Sequence, residues 1–357
     1  MMLRRRFAKN TVGRLMFCTL VLSPSIVLGN DKEPEPLLGL PPVYYPEDNL
    51  YSEDRADLGK LLYFDKRLSS DGTVSCSTCH GVKNGFTDGA AVSTGINGQK
   101  GGRSAPTVIN RGYSTAQFWD GRAPSLEAQA IGPIANPIEM TNEKDPFRAH
   151  ETCIERLHNV PEYRSRFALA YGVEDFSIEH VGKAIATFER TVVSGNSPFD
   201  RYRSGIKDAM SASAMRGSNI FFKKTACDSC HLGFNFTDGS YENIGIGMDK
   251  PSPDLGRYLV TNREEDRGSF KTPTLREIEH TAPYMHDGRF KTLEEVIEHY
   301  DKGGIPNPNL DSRLKPLNLS KQEKADLVEF LKALSGEGWQ IDPPADFPPS
   351  GSELSGT

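Results

Sequence analysis

Apolar positions spaced three and four residues apart predict helices in four segments of the chain. The segments are residues 54–64, 177–193, 211–223 and 319–334. In the last of them, Ser320 and Glu323 form a capping box that predicts where the helix begins. The long stretches between the helices are rich in Gly and Pro and have no helical spacing. The pattern therefore predicts a mainly α protein with long loops.

Several short strings occur twice, in the same order. The pairs are FTDG at 86–89 and 236–239, APTV at 105–108 and TPTL at 272–275, WDGR at 119–122 and HDGR at 286–289, and LE at 126–127 and 293–294. Repetition of this kind indicates a duplication and hence two similar domains. We expect an N-terminal domain over 31–200, a C-terminal domain over 201–340 and a tail over 341–357.

The first thirty residues are typical of a secretory signal peptide. Five basic residues precede or enter an apolar run over 15–28 that contains Pro24, and small Gly29 follows. An uncleaved membrane anchor is the alternative, although the run is shorter than the roughly 20 residues that a span needs. No later segment is apolar enough to span a membrane. We therefore predict a signal peptide over 1–30 and an exported, periplasmic protein.

Removal of residues 1–30 leaves 37 basic and 48 acidic residues, a net charge of about −11. An acidic protein of this kind is a poor nucleic-acid binder, but its surface could attract a basic partner protein. We therefore expect no nucleic-acid partner.

Two copies of the pattern Cys-x-x-Cys-His carry the chemistry of the chain. This pattern attaches a c-type haem: the two thiols bond to the porphyrin and the His ligates the iron. The residues are Cys76, Cys79 and His80 in the first copy, and Cys227, Cys230 and His231 in the second. The alternatives are zinc sites, which would need four ligands, and redox-active dithiols. We predict two covalently bound haem c groups, and the second axial position of each iron decides the function.

The other Cys and His residues carry no motif. Cys153 is the one Cys beyond residue 30 that lies outside the haem motifs, and we expect it to be a buried free thiol. We expect structural or solvated roles for five histidines: His150, His158, His180, His280 and His299.

Over residues 50–335 the chain resembles the bacterial di-haem cytochrome c peroxidase family, which also contains the MauG-like proteins. The strings that carry the resemblance include LGKLLYFDKRLS (58–69), QFWDGRAPSLEAQAIGPIANPIEM (117–140) and FKTPTLREIEHTAPYMHDGRF (270–290). The resemblance implies two class I c-type cytochrome domains, each with one covalent haem. His80 would be the proximal ligand of the peroxidatic haem, and His231 that of the electron-transfer haem.

The resemblance also implies catalytic roles within 117–140. Trp119 would lie between the haems and assist electron transfer, while Gln129 and Glu139 would lie over the open face of the peroxidatic haem. Peroxide cleavage needs a proton moved from one oxygen to the other, which a carboxylate can do as base and then acid. Without the resemblance, Glu139 would be interpreted as a surface acid and Trp119 as a core aromatic.

Two positions depart from the usual peroxidase pattern. Many relatives have a His after Ser-Thr-Gly that ligates the peroxidatic iron, but this chain has Ile96. Because isoleucine cannot ligate iron, we expect a peroxidatic haem that is always open. Fourteen residues after His286, where many relatives place a Met ligand, this chain has Tyr300, as MauG-like proteins do. A phenolate ligand stabilises ferric iron; the alternative ligands are His299, Met285 and Met248.

The resemblance implies three further features. His286 would lie near the haem edge and the propionates. A calcium ion between the domains would be bound by the carbonyl groups of Thr281 and Pro283, and Ser104 occupies the position where relatives have an Asn ligand. The protein would form a homodimer.

The main functional hypothesis is therefore a di-haem peroxidase that reduces hydrogen peroxide. Its electrons would come from a small cytochrome c or a copper protein. The first alternative is a MauG-like enzyme that uses peroxide to oxidise residues of a partner protein. The second is a dihaem cytochrome that transfers electrons without being an enzyme.

Overall fold

The computed structural model describes residues 32–349 as a mainly α fold, which confirms the predicted class. The predicted signal peptide lies outside the described residues, as do residues 350–357 of the predicted tail. The helices are α1 Glu53–Phe64, α2 Cys76–Cys79, α3 Leu126–Ile131, α4 Pro146–His158, α5 Pro161–Tyr171, α6 Ile178–Thr191, α7 Pro198–Arg203, α8 Ala212–Asn219, α9 Tyr258–Thr261, α10 Leu293–Asp301 and α11 Lys321–Lys332. Strands β1 Tyr241–Glu242 and β2 Phe270–Lys271 pair antiparallel.

The four helices predicted from apolar spacing are confirmed as α1, α6, α8 and α11. The Ser320 hydroxyl accepts a hydrogen bond from the Glu323 amide, and the Glu323 carboxylate accepts one from Ser320 in return. Helix α8 continues into a π-helical turn, Ile220–Lys224, so the predicted segment 211–223 is not one regular helix. Two long helices, α4 and α5, were not predicted; each begins with a proline in its first turn, a common start signal.

Two helix pairs with the same geometry organise the fold. Helix α1 crosses α6, and α8 crosses α11. A Cβ on Gly59 would lie 1.9 Å from the Ala184 carbonyl oxygen, and a Cβ on Gly217 would lie 1.9 Å from that of Asp326. Only glycine lets the two backbones approach so closely.

The repeated strings also share their backbone conformation. Gln117 and Ala123 form an antiparallel bridge, and Tyr284 and Phe290 form the matching bridge in the second copy. Left-handed residues recur at matched positions: Phe86 and Phe236, Asn110 and Glu277, Phe118 and Met285, and Gly121 and Gly288. The repeat found in the sequence is therefore also a repeat of structure.

The buried apolar residues form two clusters. The first draws on residues 58–192 together with Trp339, and the second on residues 210–334. After α11 the chain thus returns to the first cluster. A buried ion pair links α7 to a later loop, since Arg276 donates to both carboxylate oxygens of Asp200 at 2.7 and 2.9 Å. The domain bounds 31–200 and 201–340 stay a prediction.

Within residues 32–349, no helix combines the length and the apolar character needed to cross a bilayer.

Candidate functional site

The second Cys-x-x-Cys-His motif opens onto a cavity of about 530 Å³. Cys227, Cys230 and His231 line it. The His231 Nδ1–H donates to the Phe236 carbonyl oxygen at 3.0 Å, which fixes the ring and leaves Nε2 free to bind a metal. Phe236 can accept this bond because its left-handed backbone turns the carbonyl toward the histidine. The motif therefore offers two thiols and one imidazole nitrogen, as haem c requires.

The first motif repeats this arrangement. The His80 Nδ1–H donates to the Phe86 carbonyl oxygen at 3.3 Å, and the Tyr63 hydroxyl donates to the His80 carbonyl at 2.8 Å. Burial lowers the pKa values of His80 and His231, which favours the neutral imidazole that ligates iron. Burial also raises the pKa of the Cys79 thiol to about 11. A thiol with so high a pKa is rarely ionised near neutral pH, and the ionised thiolate is the reactive form. The raised pKa therefore disfavours a redox-active dithiol at this motif.

A zinc site does not fit the described residues. Zinc would need four nitrogen, sulfur or oxygen ligands around one point. Among residues 32–349, one group of potential ligand atoms lies close together, and it consists of Cys230, Asp238 and Glu242. Neither His80 nor His231 belongs to it. The residues of both motifs fit a haem better.

Tyr300 lies in the last turn of α10 and lines the same cavity as His231. Its hydroxyl makes no hydrogen bond to any residue in 32–349, and burial raises its pKa above the usual range. Of the alternative ligands, Met285 lines the cavity, whereas His299 and Met248 do not. His299 is engaged through Nε2 with the Ile244 carbonyl oxygen at 3.1 Å. Tyr300 and Met285 therefore stay as the two candidates for the second ligand of the iron at the His231 motif.

Trp119 and His286 occupy equivalent positions in the repeat and meet at the cavity. Their rings lie 6.5 Å apart, edge to face. The Trp119 indole N–H donates to the Ser104 carbonyl at 2.9 Å, and the Ser104 amide donates to the His286 carbonyl at 2.7 Å. His286 is stacked on Phe270, and burial lowers its pKa to about 4. These contacts fix an aromatic pair between the two halves of the chain.

The three residues predicted to bind calcium all line this cavity: Ser104, Thr281 and Pro283. The Ser104 carbonyl already accepts the Trp119 indole, so its hydroxyl is the group left for a cation.

Glu139 lies beyond the short turn Pro133–Ala135, next to the position of the missing histidine. Its carboxylate accepts a hydrogen bond from the Asn136 side chain at 2.7 Å. Burial raises its pKa, opposed by the positive charge of Arg122 and by the Asn136 hydrogen bond. The Ile96 amide donates to the Glu139 carbonyl at 3.1 Å, while the Ile96 side chain is buried in the first core. Glu139 is thus a half-buried acid with a raised pKa, not an ordinary surface acid.

Gln129 lies in α3, which Ser125 caps by accepting from the Ala128 amide. The side chain of Gln129 is half-buried and makes no hydrogen bond to any described residue. Its amide is therefore available to a ligand.

Sequence reasoning missed three charged residues of the interior: Lys271 and Glu189, which are buried, and Arg111, which is half-buried. Arg111 and Lys271 line the cavity, and Glu189 lies in α6. Burial raises the pKa of Glu189 to about 8, opposed by the positive charges of Arg111 and Arg190. Glu189 could have been noticed, because it lies four residues after Ile185 on the apolar face of its helix. Nothing in the sequence distinguished Arg111 or Lys271.

Cys153 is a fully buried free thiol, as predicted. Two of the remaining histidines bind backbone carbonyls: His150 contacts Ile131, and His158 contacts Phe176.

Comparison with known proteins decides the family. The chain is 43% identical over 298 residues to methylamine utilization protein MauG of Methylorubrum extorquens. The aligned region covers 83% of this chain and 82% of that protein. This chain belongs to the di-haem cytochrome c peroxidase family. The model of that family matches residues 53–208.

Other members of the family are also similar to this chain. The chain is 39% identical to cytochrome c551 peroxidase of Nitrosomonas europaea, over 84% of this chain and 85% of that protein. The crystal structure of a MauG-like protein associated with microbial copper homeostasis superimposes with a TM-score of 0.77 at 34% identity, covering 85% of this chain and 95% of that one. Membership of this di-haem family implies that the chain carries haem c.

Proposed function

We propose that this protein is an exported di-haem peroxidase that reduces hydrogen peroxide to water. Two electrons and two protons convert one peroxide molecule into two water molecules. A haem held by Cys76, Cys79 and His80 would supply a metal that can bind the oxidant and transfer electrons to it. The observation that carries the proposal is the half-buried Glu139 with its raised pKa, adjoining a buried Ile96 where a ligand would close the site.

Glu139 acts as the proton carrier in this proposal. Its carboxylate takes a proton from one peroxide oxygen and returns it to the other. Burial favours this role, because a carboxyl group with a raised pKa exchanges protons more readily near neutral pH. Gln129, whose side-chain amide makes no hydrogen bond within residues 32–349, orients the peroxide by hydrogen bonds and does not titrate.

Electrons reach the His80 side from the His231 side. Trp119 and His286 lie between the two halves, with their rings 6.5 Å apart. The donor is a small cytochrome c or a copper protein that docks on the acidic surface in the periplasm. Calcium at Ser104, Thr281 and Pro283 would join the halves, and the protein would work as a homodimer.

The test is peroxide consumption by the haem-loaded protein with a reduced small cytochrome c as donor. We expect Glu139→Gln to lower kcat/KM for peroxide by about 100-fold or more, because it removes an acid–base group. Glu143→Gln is the matched control, since it removes an acid four residues away, and it should keep the wild-type rate. Equal rates for both variants would contradict the role of Glu139.

A MauG-like reaction is the second candidate, and the position of Tyr300 favours it. Tyr300 lines the cavity of the His231 motif, and no residue of the described chain is hydrogen-bonded to its hydroxyl. In this reaction, peroxide takes its two electrons from side chains of a partner protein. Negligible turnover with reduced cytochrome c, together with a long-lived oxidised spectrum after peroxide addition, would favour this candidate. Fast turnover would favour the peroxidase.

A further inference from the structure

Lys271 is a buried cation that the described protein leaves without a counter-ion. It ends strand β2, where its amide donates to the Trp119 carbonyl at 2.7 Å. The residue is only 6% exposed, and it lines both the cavity of about 530 Å³ and a smaller one. The acid of that smaller cavity, Asp238, accepts hydrogen bonds from the Ser240 amide and hydroxyl at 2.9 and 2.7 Å. The Lys271 ammonium group makes no hydrogen bond or ion pair with any residue in 32–349. An unpaired buried ammonium is costly, so this arrangement calls for an anion in the cavity.

The charges around Lys271 strengthen this requirement. Burial lowers its pKa well below the usual range, and the nearby positive charge of Arg111 lowers it further, so the ammonium form persists only with an anion beside it. In the described part of the chain, two acids line the cavity, Glu242 and Asp311. The Arg313 guanidinium forms an ion pair with each of them, at 2.7 Å from the Glu242 carboxylate and 2.6 Å from that of Asp311. Neither acid is therefore free to neutralise Lys271.

Arg111 faces the same cavity and is only partly satisfied. Its guanidinium donates from Nε and Nη2 to the Gln117 side chain and from Nη2 to the Ala116 carbonyl. Its Nη1 makes no hydrogen bond to the described residues. Two cations thus face the cavity that Cys227 and Cys230 also line.

We propose that Lys271 binds a propionate carboxylate of the haem attached through Cys227 and Cys230, with Arg111 as the second cation. This inference rests on the haem of the proposed function. A haem brings two carboxylates on a largely apolar ring, and the cavity offers two cations on largely apolar walls. Lys271 is then a cofactor-binding residue that also sets the local charge.

The proposal predicts the direction of an electrochemical change. A positive charge beside the haem favours the reduced iron, because reduction adds an electron. Loss of that charge leaves the propionate negative and favours the ferric form. The reduction potential of this haem should therefore fall when Lys271 becomes neutral.

The experiment is a redox titration of the haem-loaded full chain, followed by absorbance. We expect Lys271→Met to lower the ratio of reduced to oxidised haem at a fixed potential by about tenfold, which is about 59 mV for one electron. Lys271→Arg, which keeps the charge, should stay close to the wild type. Lys321→Met, which removes an exposed charge at the start of α11, is the control and should also be unchanged.

Equal potentials for Lys271→Met and the wild type would overturn the proposal. If Lys271→Met does not incorporate haem, Lys271→Gln takes its place, and a wild-type potential in that variant would overturn the proposal equally. The titration needs no peroxide. A protein that failed to reduce peroxide but showed the shift would contradict the proposed function and leave this inference standing.

Discussion

The buried ion pair between Arg276 and Asp200 gives the sharpest prediction about stability. The two side chains are 1% and 5% exposed, and two hydrogen bonds of 2.7 and 2.9 Å join them. Arg276 also donates to the Phe234 carbonyl at 2.8 Å. We expect Arg276→Met to destabilise the protein, because it leaves a buried carboxylate without its partner.

The magnitude follows from what remains around Asp200. Removal of one member of a buried pair costs about 3–5 kcal/mol. The Ser197 amide and hydroxyl still donate to the carboxylate at 2.9 and 2.8 Å, so we expect the lower end, about 3 kcal/mol. Burial would raise the pKa of Asp200, but the contacts with Arg276 and Ser197 lower it overall. The pair therefore stabilises the fold above the pKa of an unfolded Asp, about 3.9, and this contribution is lost as the pH falls through the folded pKa.

The assay is thermal or urea unfolding of the haem-loaded protein at pH 7. Arg166→Met is the matched control, because Arg166 makes a similar pair with Glu162 on the surface of α5, at 2.8 and 2.6 Å. That exposed pair should contribute no more than about 1 kcal/mol. The double variant Arg276→Met with Asp200→Asn should be more stable than Arg276→Met alone, because no buried charge is left. Equal losses for Arg276→Met and Arg166→Met would refute the reasoning.

Three further predictions address the packing and the site. Gly217→Ala should lower stability by about 3 kcal/mol or more, measured by thermal unfolding, because its methyl group would lie 1.9 Å from a backbone oxygen. Tyr300→Phe should change the ferric absorption spectrum of one haem, whereas Met285→Leu should not; the reverse result would make Met285 the ligand. Asn136→Leu should move the acidic limb of the pH profile of peroxide turnover to higher pH, because it removes a hydrogen bond that lowers the pKa of Glu139. An acidic limb at the same pH as in the wild type would show that Glu139 does not control it.

Local signals in the sequence were enough for the elements that depend on local physics. The apolar face of α6 and the capping box of α11 follow from spacing and side-chain chemistry within one element, and both are present. The haem motifs are equally local, because the two thiols and the imidazole lie within five residues. The position of Glu139 came from the resemblance to a family, since nothing near it distinguishes a half-buried acid from an exposed one.

The missed features depend on contacts between distant segments. Lys271 is buried where β2 contacts the loop of Trp119. The contact is the hydrogen bond from the Lys271 amide to the Trp119 carbonyl, which joins residues about 150 positions apart. Trp339 follows the last helix but packs in the first core, which no spacing pattern could indicate. Helices α4 and α5 begin at prolines that resemble loop signals until the helices are seen to continue.

The duplicated backbone explains why the two halves can perform different chemistry. The glycine crossings and the left-handed turns are the same in both halves, so the haem motifs and the strings around them adopt the same positions. Side chains at several matched positions differ. Trp119 in the first half corresponds to His286 in the second, and buried Ile109 corresponds to the ion-paired Arg276. In the same way, buried Ile96 adjoins Glu139 in the first half, whereas Tyr300 of the second half lines the cavity of the His231 motif. Exchanged side chains on matched backbone thus give the two haem motifs different surroundings.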